Sequence, residues 1–306
     1  MPSFSKYVQD KLYNELFSCA KSFLKEYGDK FDFGSSLHKN GYSSLEDICV
    51  KHTRVEDMPG NRIKFYVYLE LDVETQEGNC RFDNYEEQNP WLLVTYQADI
   101  GEDLENVSLI NVEDYTTKPK LTDPMDDKLV PVLGKSGFDE CADNFLRRNY
   151  PNALLEPISI EPDKLCEKMG LIVRRAHISE DGNIFGRVYF YDGTAEIFDD
   201  DTGEVHTEEI KARTILVDDT ASFLYGIGAF NNTIVHECVH WDMHKKAVAF
   251  ARLYNKNITG IGCKIVGGSL EETFDFIEWQ ANNLAPRIQL PATMVKKYVN
   301  SQISYI

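Results

Sequence analysis

The chain has 306 residues, enough for one large domain or two of ordinary size, and its 42% hydrophobic and 27% charged content is that of a folded globular protein. Acidic side chains outnumber basic ones 50 to 32, for a formal net charge of -18 that is spread over both halves. Such a surface repels phosphate backbones and anionic lipid, which argues against nucleic acid or a membrane as a direct partner.

The N-terminus, MPSFSKYVQDKLYNELF, lacks the basic start and unbroken apolar core of a signal peptide. Residues 5–27 instead follow a helical pattern, with Tyr7, Leu12, Leu16, Cys19, Ala20 and Phe23 recurring at three- and four-residue steps. A turn-rich stretch comes next. IKFYVYLELDVE (63–74) reads as a strand rich in β-branched and aromatic residues, WLLVTYQAD (91–99) as a second, and 105–112 as a third, with a polar connection at 75–90. No catalytic arrangement is visible in this half. Residues 113–135 mix charges, prolines and few large apolar residues, which marks the domain boundary. The expected organisation is an N-terminal α+β module over 1–125 and a second α+β domain over 126–306.

In the second domain the pattern predicts helices over 138–148 and 161–169, the latter with Pro162 in its first turn. Strands follow at 171–178 and 212–219, and two short ones flank the tight-turn pair Asp192-Gly193 within 187–198. A helix spans 232–254, with Asn231, Asn232 or Thr233 as N-cap. A Gly-rich bend, ITGIGCKIVGGS, leads to a helix over 270–285. Ser269 and Glu272 match a capping box for it, and Pro286 stops it. A last short helix covers 291–302 behind Pro291. No window reaches the ~18 apolar residues that cross a membrane. The seven cysteines are dispersed, odd in number and form no CxxC pair, which favours free thiols in a reducing cytoplasm over a disulfide scaffold or a zinc knuckle.

The chemistry sits in His236-Glu237-Cys238-Val239-His240. Residues four apart lie one above the other on a helix, so both imidazoles can reach one ion. Glu237, turned by about 100 degrees from His236, can hydrogen-bond a water held there. Histidine is scarce, yet three of the seven lie within nine residues, at 236, 240 and 244. A surface helix with two solvated histidines leaves that clustering unexplained. A catalytic zinc needs a third protein ligand and an open position. Glu278 on the next helix is the first candidate, Glu271 is its rival, and Glu272 and Asp275 are weaker. Asn282, four residues beyond Glu278, can hydrogen-bond the outer nitrogen of a ligand histidine. His244 cannot readily share the ion, because His236 and His244 are ~12 Å apart along the axis. It is expected at the rim, donating to substrate or to an acidic partner, with a plain surface histidine as the alternative. Cys238 reads as a small buried hydrophobe rather than a ligand.

NNTIVHECVHWDMH (231–244) resembles the active helix of the ImmA/IrrE family of zinc metallo-endopeptidases, in which HExxH is followed after three residues by a further histidine. EWQANNLAPRIQLP (278–291) is similar to the family's second segment, an acidic ligand followed by an Ala-Asn pair and a closing apolar-Pro step. The resemblance covers roughly 138–300 and places Glu278 on the ligand position. It implies a zincin-like domain with a small sheet packed on the HExxH helix, Zn2+ as cofactor, and a protein substrate such as a bacterial or mobile-element transcriptional regulator. In the mechanism expected on this basis, zinc on His236, His240 and Glu278 activates water, and Glu237 takes its proton and passes it to the leaving amine. The oxyanion donor is His244, Tyr225 or Arg287, and a substrate strand is expected along an exposed edge at 212–219. Three other readings stand beside this one: a zinc-binding regulator with little or no peptidase activity, a hydrolase of small amides or esters, and an interaction protein with a chance motif.

Overall fold

The computed structural model describes residues 2–27, 42–76, 85–115, 123–178, 184–199, 201–219, 226–264 and 272–303. They form two compact units, Met1–Val132 and Leu133–Ile306.

In the first unit, helix α1 (Phe4–Tyr27) accompanies an antiparallel sheet of β1 (Tyr42–Asp57), β2 (Arg62–Gln76), β4 (Trp91–Ile100) and β5 (Leu104–Asp114), in that order. The short β3 (Tyr85–Gln88) pairs with β2. In β2 every second residue from Ile63 to Thr75 is buried, the alternation of a strand with one face on a core. The helix supplies the other side of that core through Phe4, Val8, Leu12, Leu16, Ala20 and Phe23, and the Phe4 ring meets Phe65 edge-on at 5.5 Å. Strand β1 lies in the stretch read from sequence as turns. Its buried residues Ile48 and Val55 are an odd number of positions apart, which hides the period of two. A bulge between Val50 and His52 restores it, so that both face buried partners, Leu71 and Phe65. Residues 126–132, assigned by sequence to the second domain, belong to the first unit. Met125 bridges Pro131, and the Phe4 amide donates to the Asp127 carbonyl.

The second unit holds a mixed sheet in the order β11 (Gly260–Lys264), β7 (Ile184–Tyr189), β10 (Thr214–Val217), β6 (Ile172–Arg175), plus a hairpin of β8 (Gly193–Asp199) and β9 (Glu204–Ile210). Its helices are α2 (Phe138–Asn149), α3 (Pro162–Met169), α4 (Ile227–Met243), α5 (Lys245–Tyr254), α6 (Glu272–Gln289) and α7 (Ala292–Ile303). Helix α4 packs between the sheet, at β7 and β10, and α6. It is buried all round from Thr233 to His240, so its polar side chains there, Thr233, His236, Glu237 and His240, are enclosed with the apolar ones.

Several sequence expectations are corrected here. Asp192-Gly193 does not join two paired strands, because among the described residues β7 pairs with β10 and β11 while β8 pairs with β9. The Asp192 carboxylate instead accepts the Ala212 amide at 2.8 Å. The segment 212–219 is no free edge: β10 is hydrogen-bonded to β6 on one side and β7 on the other. Part of the Gly-rich bend is strand β11. A Cβ on Gly260 would fall 2.3 Å from the Val188 carbonyl oxygen, so this close crossing requires glycine. The predicted helix 232–254 is two helices broken at His244, and it begins a turn early behind Gly226, so Asn231, Asn232 and Thr233 lie inside it. Helix α6 runs through Pro286, where burial of Leu284, Ala285 and Ile288 outweighs one lost backbone bond. Ser269, its expected cap, lies outside the described residues.

Candidate metal centre

His236 and His240 project from successive turns of α4, and Glu278 from α6. The Nε2 atoms of the two rings are 2.9 Å apart. Glu278 Oε2 lies 3.1 Å from His236 Nε2, and Oε1 lies 3.2 Å from His240 Nε2. Both rings are at most 1% exposed and the carboxylate 17%. Among the described residues this is the group of histidine, cysteine and acidic side chains whose ligand atoms converge on one point.

The donor set fits a divalent cation. At the ~2.0–2.1 Å bonds of zinc, tetrahedral ligand atoms stand ~3.3 Å from one another, within a few tenths of the separations here. Glu278 Oε1 is buried and accepts no hydrogen bond. Two imidazole nitrogens and a carboxylate packed this closely hold more lone pairs than protons, which a cation satisfies. Burial lowers the pKa of His240, the charge of His236 adds to this, and Glu278 opposes it. Burial raises the Glu278 carboxyl, but the hydrogen bond from His236 and the two neighbouring imidazoles outweigh it and hold the group down at about 2. A neutral His240 and an ionised Glu278 are the forms that ligate metal.

Glu237 is fully buried in the turn between the two histidines. Its carboxylate lies against Gly186 of β7, where an added Cβ would stand 3.0 Å from Oε1 and 2.7 Å from Thr233 Cγ2. The missing side chain is what lets strand and helix approach with the acid between them.

The remaining expected site residues are placed differently. His244 is not at the rim. It is 0% exposed, and its Nδ1 lies 2.9 Å from His240 Nδ1 while its Nε2–H donates to Gln280 Oε1 at 2.9 Å. Burial, and then the charge of His240, push its pKa down to about 3. Asn282 is exposed, because the inward face of α6 runs through Ile277, Gln280, Ala281, Leu284, Ala285 and Ile288, so the polar partner on that face is Gln280. Arg287 donates to Asp139 Oδ1 at 3.0 Å and to the Asn283 carbonyl at 2.7 Å, and so is occupied away from the cluster. Asp275 is exposed and outside the converging group. Tyr225 and Glu271 lie outside the described residues. Cys238 faces the core, as expected, with its Sγ 3.5 Å from Cys166 Sγ. Sequence reasoning missed Gln280 and Gly186. The signal for Gln280 was a polar residue within an otherwise apolar helical stripe.

The α+β unit with a mixed sheet packed on this helix is a zincin-like metallopeptidase fold, and the cluster is an HExxH-type zinc-binding arrangement able to chelate a divalent metal. With an acid, Glu237, in the helical turn between the two histidines, the site suits metal-dependent hydrolysis in general. No protein-family model matches the chain, and no curated protein matches it. Among solved structures it is similar to an Ntf2 like protein involved in plasmid conjugation, at 11% identity over 68% of this chain and 95% of that one. The TM-score of 0.19 is too low for that likeness to bear on fold or function. No helix among the described residues is long and apolar enough to cross a membrane.

Proposed function

We propose that this protein is a zinc-dependent endopeptidase of the ImmA/IrrE kind, acting on a protein substrate such as a transcriptional regulator. The observation that carries the reading is the convergence of His236, His240 and Glu278, with Glu237 buried in the helical turn between the two histidines. The family reading rests on the motif, His236-Glu237-x-x-His240 with His244 after three intervening residues and Glu278 ahead of Ala281-Asn282. His236, His240 and Glu278 would hold Zn2+, which would supply Lewis acidity for activating water and polarising a carbonyl. Glu237 takes the proton of the attacking water and delivers it to the leaving amine. Its burial keeps bulk water from competing for that proton. A reducing cytoplasm belongs to the same proposal, on the strength of the dispersed cysteines.

Replacing Glu237 with Gln tests this. Peptide hydrolysis should fall by about 100-fold or more, the scale of general acid–base catalysis, while one equivalent of zinc is retained. A variant equal to the parent on every peptide and on every partner protein would favour a zinc-binding regulator. Turnover confined to small esters or amides would point to a different hydrolase. Gently purified protein with no stoichiometric metal would remove the site altogether.

A further inference from the structure

Gln280 is fully buried on the inward face of α6, at the far end of a line of rings that leads into the metal cluster. The line runs from Gln280 Oε1 to His244 Nε2 at 2.9 Å, and from His244 Nδ1 to His240 Nδ1 at 2.9 Å. It ends at His240 Nε2, 2.9 Å from His236 Nε2. Each step constrains the next. An amide oxygen only accepts, so His244 Nε2 carries the hydrogen. A neutral imidazole, the form that complete burial favours, has a single N–H, which leaves a lone pair on His244 Nδ1. Two lone pairs cannot face each other at this distance, so His240 Nδ1 carries a hydrogen and donates it. His240 Nε2 then keeps its lone pair, aimed between His236 and Glu278.

We propose that Gln280 and His244 are positioning residues that hold His240 in the one tautomer presenting its Nε2 lone pair to a divalent cation. The inference rests on reading the cluster as a metal site. It explains two features that packing alone does not. Two polar side chains lie wholly buried where apolar ones would avoid a desolvation cost. The helix also breaks at His244, with φ -106 and ψ 6, and the break places the ring against both neighbours. With the amide reversed, every hydrogen in the line would reverse as well, and an N–H of His240 would point into the cluster and block the ion.

The test uses full-length, metal-free protein labelled with 15N at histidine. Long-range 1H–15N spectra at neutral pH should show His240 with the hydrogen on Nδ1 and a bare Nε2, and His244 with the opposite pattern. In parallel, Zn2+ affinity is measured by chelator competition for the parent, Gln280→Met, His244→Phe and the double variant. Each single change should weaken binding by about 10- to 100-fold, the usual effect of outer-shell partners. The double variant should lose no more than the worse single, because the two residues act as one chain. Parent protein that binds no Zn2+ overturns both this inference and the metal reading. Tight Zn2+ binding with the reverse ring pattern, unchanged affinity in Gln280→Met, or strictly additive losses overturn this inference alone. Should the variants fail to fold, the ring pattern of the parent decides the matter.

Discussion

At Gly186, one absent carbon sets how near the sheet comes to the metal-bearing helix. An alanine there would bring its Cβ to 2.7 Å from Thr233 Cγ2 and 3.0 Å from Glu237 Oε1, so helix or carboxylate must move. Overpacking of this kind costs about 1–3 kcal/mol. Gly186→Ala should therefore lower the unfolding temperature and depress hydrolysis more than Zn2+ binding, because the displaced group is the acid and not a ligand. An alanine variant matching the parent in melting and turnover would show that strand and helix part freely. In the first unit, Asp103 is the residue to titrate. It accepts from the Tyr7 hydroxyl, the Lys11 ammonium and the Leu104 amide, and so ties α1 to the turn before β5. Burial raises its pKa, but these donors outweigh it and lower the carboxyl from 3.8 to about 2. A folded-state pKa below the unfolded one gives stability that is present above about pH 4 and lost as pH falls through about 2. The side chain is 45% exposed, so solvent screening keeps the contribution under about 1 kcal/mol. Asp103→Asn should melt a few degrees below the parent at neutral pH, and the gap should close near pH 2. A gap of constant size would assign the effect to packing.

Among the elements, α6 carries the most conflict between local preference and tertiary demand. Pro286 stands inside it and cannot donate to the Asn282 carbonyl, yet the helix continues to Gln289 because its buried side is needed against α4. Pro286→Ala should raise the unfolding temperature, with the ~3 kcal/mol penalty of an interior proline as the ceiling. A fall in melting temperature would instead mean that the fixed φ of proline stiffens the turn leading into α7. The same conflict explains what was legible in the sequence. His236, Glu237 and His240 are readable because helical spacing alone places them together. Glu278 is readable only as one of several acids, since nothing local says which of them meets a second helix. Asn282 and Arg287 share a helix with Glu278 but not its direction. Bulges conceal β1, and three short segments around Asp192 are ambiguous until pairing assigns them to different sheets.

At the scale of the whole chain, the two units each enclose their own apolar interior, and every residue of the metal cluster comes from the second. The sequence places a boundary near this point, because charges and prolines thin out the apolar residues. It does not reveal that 126–132 closes the first unit, which depends on backbone bonds to the distant N-terminus. Deep in the second unit, Cys166 and Cys238 join α3 to α4 with their sulfurs 3.5 Å apart, 1% and 0% exposed. The hydrogen bond to Cys166, then burial, raise the Cys238 thiol well above its ordinary pKa, and thiols react with alkylating reagents as thiolates. The exposed Cys49 should be labelled by a maleimide within moments. Labelling of the buried pair should wait for this interior to open, making it an internal clock for unfolding of the second unit, and one that runs slower once Zn2+ is added. Prompt modification of all three would mean that α3 and α4 separate while the rest of the unit stays folded.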